Sequence, residues 1–446
     1  MAMRIQLSER FTYKKLIKFT APSILMMIFT SIYSVVDGFF VSNFAGKTAF
    51  SAVNLIFPFL MVVATVGFML GTGGSALVSK TLGEKQEEKA NQYFSLFTYF
   101  TFGVGVVIAI LSMIFIRHIA SFLGAKGELL DDCVAYAYTI LPALPFFVMQ
   151  LFFQSFFVTA ERPGLGFLVT IIAGVTNMIL DAILVISLPY EYKLIGAALA
   201  TGISQTVGGV IPLIYFMKKR KALLRFCKTK FYFTAIGKAC VNGSSEFMSN
   251  VSMNLVAMLY NLQLLKYVGE NGVAAYGVMM YVCFVFAGAF MGYTIGSAPI
   301  VGYNLGANNP FEVKNVLKKS AAMIGVCSII VFSLAQAFAS PISKIFVGYD
   351  GELLSLTVSG FRLYSFCFLL MGFAIFISGF FTALNDGLTS ALISFLRTLV
   401  FELLSVLLLP LILGVNGIWL SVVVAEFMAV TVGVSLLVIK RKKYGY

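Results

Sequence analysis

The sequence predicts an all-α integral membrane protein: twelve transmembrane helices in two six-helix lobes related by a pseudo-twofold along the membrane normal. Three observations predict it. Hydrophobic side chains make up 59% of the 446 residues and charged ones only 11%, with a mean hydropathy of +0.94. No soluble domain hides that much apolar surface. Uncharged or nearly uncharged stretches recur twelve times, and the second half of the chain repeats the first.

In chain order the first six stretches centre on Phe19–Gly46, Thr48–Ser79, Ala90–Ile116, Cys133–Ala160, Gly164–Leu188 and Leu194–Met217. The second six centre on Ala239–Leu265, Gly272–Ala298, Ser320–Pro341, Leu356–Leu384, Leu388–Gly414 and Val415–Ile439. Most exceed the ~20 residues that a spanning helix needs. Cys133–Ala160 and Leu356–Leu384 are long enough to tilt or kink, and Pro142 and Pro145 predict a kink in the former.

Loop charge gives the orientation. With the N-terminus inside, 24 of the 32 Lys and Arg fall on the inner side and six on the outer, leaving Arg362 and Arg397 within segments. That bias follows the positive-inside rule and places both termini in the cytoplasm. It also accounts for the net charge of +13, so nucleic acid is not expected as a partner. The first 18 residues are polar and basic and do not read as a cleavable signal peptide. The six cysteines form no CxxC pair, and His118 is the sole histidine, which argues against a histidine metal site.

A shift of 223 residues superposes many punctuation points. Gly46 falls on Gly269, Ala52 on Ala275 and Gly73 on Gly296; Leu82-Gly83 falls on Leu305-Gly306 and Gly164 on Gly387. Near the end the offset becomes 221, matching Gly196 with Gly417. Six spans per half is an even number, so both halves enter the membrane the same way and enclose a cavity between them. The expected organisation is an amino-terminal lobe over 1–217, a basic linker over 218–238 and a carboxy-terminal lobe over 239–446. The linker's interleaved apolar and basic residues suit a short amphipathic helix on the anionic leaflet, or plain topological anchoring.

Five acids lie inside segments: Asp37, Asp181, Glu246, Glu402 and Glu426. An aspartate at membrane depth costs roughly 2.5–3.5 kcal/mol on insertion scales and is functional by default. Tyr33 lies one turn before Asp37, and Asn177 one turn before Asp181, each pair on one helical face. The repeat mates of Asp37 and Asp181 are Tyr260 and Leu404, so duplication of the scaffold does not account for these acids. A carboxyl group in low-dielectric surroundings takes up a proton more readily than in water, and two neighbouring carboxyls strengthen the effect. Sodium would neutralise the same pair, with Asn177 as a further ligand. For Glu402, Glu426, Arg397 and Arg362 structural ion pairing is expected. Gln150 and Gln154 share one face of the fourth span, with Tyr136 further up.

The strings VVDGFFVSNFAG (35–46), TNMILDAILV (176–185), NGSSEF (242–247), GYTIGSAPIVGYNLGA (292–307) and NGIWLSVVVAE (416–426) resemble the bacterial drug-exporter branch of the multidrug and toxic compound extrusion (MATE) family. The resemblance covers nearly the whole chain. It implies a V-shaped pair of lobes that alternates between inward-open and outward-open forms, expelling amphipathic cationic drugs in exchange for protons or sodium, with no cofactor. Carried over residue by residue, the family's coupling and binding cluster falls on Tyr33, Asp37, Tyr136, Asn177, Asp181 and Thr201. Gln154 stands where relatives have Asn, and Glu246 resembles the seventh-helix acid of the sodium-coupled branch, whose tenth-helix acid has no counterpart here. The expected setting is the bacterial cell membrane, as a monomer among lipids. A flippase of the same superfamily for lipids or lipid-linked oligosaccharides is the alternative; it would need cationic cavity residues, and only Arg362 and Arg397 lie at depth. LGEKQEEKAN (82–91) lacks the loop signature of the major facilitator fold, and an enzyme would find no nucleophile elbow here.

Overall fold

The computed structural model describes residues 5–41, 44, 47–218 and 222–446, and leaves the side chains at 34, 35, 37–39, 47 and 50 outside the description. Every regular element among the described residues is helical. The first half contains α1 (Tyr13–Phe40), α2 (Lys47–Gly83), α3 (Glu87–Phe122), α4 (Glu128–Ile140), α5 (Leu144–Thr159), α6 (Pro163–Ser187) and α7 (Lys193–Lys218). The second contains α8 (Phe233–Tyr267), α9 (Glu270–Gly306), α10 (Pro310–Val347), α11 (Gly351–Tyr364), α12 (Phe368–Ala383), α13 (Gly387–Phe395), α14 (Glu402–Leu413) and α15 (Val415–Tyr444).

Eleven spans among the described residues are long and apolar enough to cross a membrane. The remaining stretch of the sequence reading, the seventh (Ala239–Leu265), lies in α8, a helix of 35 residues. Ser249, Asn250, Ser252, Asn254 and Asn261 dilute its hydropathy, which is why length and apolarity together pass it over. Three spans are broken. A 3-10 turn at Leu141–Ala143, carrying Pro142, joins α4 to α5, as the prolines predict. Its repeat counterpart at Ser365–Cys367 joins α11 to α12 without any proline. The eleventh span contains a π-turn, Leu396–Phe401, between α13 and α14.

The pseudo-twofold is visible where the lobes touch. On α2, a methyl group at Gly83 would overlap the carbonyl of Tyr303 on α9; on α9, a methyl at Gly306 would overlap the carbonyl of Lys80 on α2. Residues 80 and 303, like 83 and 306, are 223 apart, so the two contacts are one contact seen from either lobe. Further along, Gly73 of α2 lies against Ala239 and Gly243 of α8, and Gly296 of α9 against Thr20 of α1. Small residues let helix backbones meet in a membrane, where burial from water supplies no drive. All these contacts lie in the half of the bundle that carries both chain ends.

That same end is tied by two crossed segments. Residues 5–11, ahead of α1, lie on the opposite lobe. The Phe11 N–H donates to Glu312 Oε1 at 2.8 Å, while Asn315 and Lys319 donate to the Phe11 carbonyl at 3.0 and 2.6 Å. Leu7 N–H meanwhile donates to Glu161 Oε1 in the first lobe at 2.8 Å. The segment ahead of α8 does the reverse. The Arg225 N–H donates to Asn91 Oδ1 at 2.6 Å and the Cys227 N–H to Ser95 Oγ at 3.0 Å, both on α3. This described part of the linker, 222–232, is not the short amphipathic helix that its composition suits; α3 claims its backbone donors instead. Four tight turns at this end each hold one non-glycine residue at positive φ: Lys85, Glu161, Asn308 and Asn385.

The end of α15 closes the second lobe. Lys440 Nζ and Tyr444 OH donate to Asp386 Oδ2 at 2.6 and 2.7 Å, and Lys440 also reaches Thr389. Burial pushes the Asp386 carboxyl up, but the hydrogen bonds from Lys440 and Tyr444 outweigh it and hold the group below the usual carboxylate range. A depressed carboxylate contributes stability above its unfolded value of about 3.9, and that contribution is lost as pH falls through the folded value. Asp386→Asn is expected to lower stability at pH 7 by about 1.5–3 kcal/mol, the range for hydrogen bonds to charged groups. The deficit relative to the parent should shrink as pH falls through the folded value, read by thermal unfolding across pH. At the lobe contact, Gly306→Val should lower the melting temperature by several degrees through overpacking of about 1–3 kcal/mol, whereas Gly103→Ala, in open space, should not.

Candidate functional site

The amino-terminal candidates come from α1, α4, α6 and α7. Asn177 and Asp181 stand one turn apart on α6, both buried. Asn177 Nδ2 donates to Thr201 Oγ1 of α7 at 3.5 Å, and one turn earlier Ser204 Oγ donates to the Ala173 carbonyl at 2.8 Å, pinning α7 to α6. Gly174 leaves room on α6 for the rings of Phe29 and Tyr33 of α1. α1 and α6 run parallel, so the backbone of α1 carries position 37 one turn beyond Tyr33, at the level of Asn177. The side chain of Asp37 itself lies outside the described residues. Tyr136 is buried on α4, one turn before Thr139, whose carbonyl faces Gly202 of α7. The structure thus brings Tyr33, Asn177, Asp181 and Thr201 into one neighbourhood, with Tyr136 beside it.

Gln154 and Glu246 lie elsewhere. Gln154 is buried on α5, and its Oε1 has no hydrogen-bond partner among the described residues. Its neighbour Ser155 lines a narrow crevice between the lobes, with room of about 20 Å³. From the first lobe Thr72 and Ser75 face this crevice; from the second come Glu246, Thr294 and Thr382. Glu246 is therefore the acid of the lobe interface rather than of the Asp181 cluster. Its carboxyl has no hydrogen bond or ion pair among the described residues, and Arg397 is the cation that acts on it electrostatically.

Behind Thr382 runs a chain of hydroxyls that residue-type reasoning did not single out. Ser245 and Thr382 lie 3.4 Å apart, Thr382 and Ser390 2.7 Å, Ser390 and Ser378 3.0 Å, and Ser378 and Ser394 2.8 Å. It links α8, α12 and α13, ending three residues before Arg397. Hydroxyls both donate and accept, so a chain of them can reorient around a proton or a hydrated ion. The one sequence signal was the density of Ser and Thr in these helices.

Arg397 sits in the π-turn and forms a bidentate pair with Glu426 of α15. Its Nε lies 2.9 Å from Oε2 and its Nη2 2.6 Å from Oε1, with side chains only 15% and 5% exposed. This is the ion pairing expected of the carboxy-lobe charges. Arg362, by contrast, is exposed on α11. The carboxyl of Glu402, one turn beyond Arg397, has no hydrogen bond among the described residues and lies within electrostatic reach of the phenols of Tyr260 and Tyr276, which stack at 5.0 Å.

One family profile, MatE, matches residues 22–183 and again residues 247–408. The chain belongs to the MatE family. The double match restates the internal repeat: the same pattern fits each lobe. Among curated relatives, multidrug export protein MepA of Staphylococcus saprophyticus is 25% identical over 417 residues, covering 91% of this chain and 88% of that one. MepA of Staphylococcus haemolyticus is 25% identical over 423 residues, covering 94% and 91%. Among solved structures, a MATE in complex with MaL6 superposes with a TM-score of 0.93 at 21% identity, covering both chains in full. An outward-facing multidrug resistance MATE transporter of the MOP superfamily gives 0.92 at 22%, covering 100% and 99%. At that identity the structural likeness speaks for the fold.

The buried ion pair yields a sharp expectation. Glu426→Ala leaves the Arg397 guanidinium uncompensated and should destabilise this MatE protein by about 3–5 kcal/mol, whereas the double change Arg397→Met with Glu426→Leu should cost far less. Melting temperatures of the purified single and double variants check it; equal losses would mean that the pair is not a unit.

Proposed function

We propose that this protein is a secondary active multidrug efflux antiporter of the bacterial cell membrane. It exports amphipathic, cationic drugs in exchange for protons or sodium by alternating access. The observation that carries the reading is the convergence of Asn177, Asp181 and Thr201 on α6 and α7, with Tyr33 of α1 packed alongside and position 37 one turn further on. MepA, the name of its curated relatives, is that of multidrug export proteins.

In this reading Asp37 and Asp181 are the coupling acids. A proton neutralises them, or sodium does so with Asn177 as a neutral ligand. Tyr33, Tyr136 and Thr201 shape the binding region, and Gln154 and Glu246 serve the cavity that opens between the lobes. The moving bodies are the lobes over 1–217 and 239–446, joined by 218–238, with both termini cytoplasmic and the chain acting as a monomer. Because the glycine contacts seal the end that carries the termini, this form would be the outward-open one. A carboxylate among aromatic rings attracts organic cations by charge and by the ring faces, which fits the drug class.

The flippase reading lacks its cations: Arg397 is neutralised by Glu426, and Arg362 points away from the interior. Ethidium efflux from proteoliposomes, driven by a proton gradient and then by a sodium gradient, tests the proposal. Asp181→Asn and Asp37→Asn are each expected to cut the driven rate at least tenfold with the protein still folded, and Thr201→Ala to cut it less. Undiminished efflux in both aspartate variants, or no driven efflux in the parent, would sink it.

A further inference from the structure

The outer surface of the first lobe carries a groove that export does not use. Its floor is one face of α3, built from Leu96, Phe100, Gly103, Val104 and Val107. These recur at intervals of three and four, so they line up along about 16 Å of helix. Gly103 has nothing within 4 Å of where its side chain would stand, which leaves a notch in the floor. The groove is open along one side and takes in about 590 Å³.

One end of the groove is roofed by Thr229, Lys230 and Phe231 of the linker. This roof is fixed in place. Phe226 stacks between Phe94 and Tyr99 at 5.3 and 5.9 Å, and the backbone bonds to Asn91 and Ser95 hold the strand behind it. Lys228 and Lys230 stand two residues apart in this irregular segment, and Lys230 lines the groove. Both are exposed, as are Lys218, Arg225 and Lys238 nearby. The acids closest in sequence, Glu87 and Glu88, sit two turns before the groove begins.

The depth matches as well. The uncharged stretch Ala90–Ile116 is about 40 Å long as a helix, against a hydrocarbon core of about 30 Å. Its first turns therefore reach beyond the core, and the basic linker residue Lys230 marks the roofed end of the groove as the one nearer the membrane surface. A cation sits at that end, and a mostly apolar trough runs from it along α3.

We propose that this groove is a specific binding site for an anionic phospholipid, the phosphate held by Lys228 and Lys230 and one acyl chain laid along α3 over Gly103. The site ties the linker to the first lobe through a lipid. Bulk lipid contact would need neither the paired cations nor the notch.

Native mass spectrometry of the full chain in detergent, with phosphatidylglycerol and phosphatidylethanolamine of the same acyl chains added in turn, tests this. The expected result is one phosphatidylglycerol retained at collision energies that strip phosphatidylethanolamine. Retention should fall at least fivefold both in the surface variant Lys228→Gln/Lys230→Gln and in Gly103→Leu. Equal retention of the two lipids overturns the proposal, and so does unchanged retention in the lysine variant, which keeps the test valid if Gly103→Leu misfolds. Inorganic phosphate at millimolar concentration should leave retention unchanged; displacement by phosphate would make this a free-anion site and also overturn the proposal.

Discussion

The whole arrangement depends on how closely two helix backbones approach at the pseudo-twofold. Within a membrane, apolar side chains gain little by leaving lipid for one another, so the lobes hold together through close packing and hydrogen bonds. Gly83 and Gly306 supply that packing in a reciprocal pair, each seated against the carbonyl of the other lobe's residue 80 or 303. No other residue type leaves both backbones room. The contact is tight without being greasy or charged, and an interface of this kind has no large solvation penalty when it separates. That suits the proposed alternation, in which the lobes part at one end and meet at the other.

Upon this symmetric frame the chemistry is unsymmetric. The first lobe places a carboxyl, an amide and a hydroxyl at Asp181, Asn177 and Thr201, where the repeat alone would have left a leucine opposite Asp181. The second lobe instead holds a neutralised Arg397–Glu426 pair, the separate acid Glu402 and the hydroxyl chain from Ser245 to Ser394. Glu246 stands between the two, in the crevice where the lobes face each other. Duplication accounts for the helices, and later divergence of individual side chains accounts for the charges.

Much of the fold is legible in the sequence because a bilayer imposes a long apolar run for each crossing. The twofold is legible because glycines and turn residues recur at a fixed offset. The kink at Leu141–Ala143 announces itself through Pro142, but its mate at Ser365–Cys367 has no proline and leaves no sign. The π-turn at Leu396–Phe401 is equally silent, since one extra residue in a helical turn changes no residue type. The pairing of Asn177 with Asp181 follows from a spacing of four, whereas its contact with Thr201 depends on how α6 meets α7. Arg397 and Glu426 were readable as charges in need of partners, and only tertiary geometry matches them. The hydroxyl chain escaped because Ser and Thr in helices so often bond their own backbone that the few crossing to a neighbour cannot be told apart.

The crossed leader segments have a consequence for biosynthesis. Residues 5–11 emerge first, yet the groups that satisfy Phe11, namely Glu312, Asn315 and Lys319, belong to α10 and arrive some three hundred residues later. The linker, by contrast, finds Asn91 and Ser95 already inserted. Assembly therefore has a fixed order: the second leader finds its partners early, and the first docks only once α10 has been made. A newly made amino-terminal half cannot complete its own inner surface. The seating of those first residues therefore waits on the helix that opens with Pro310.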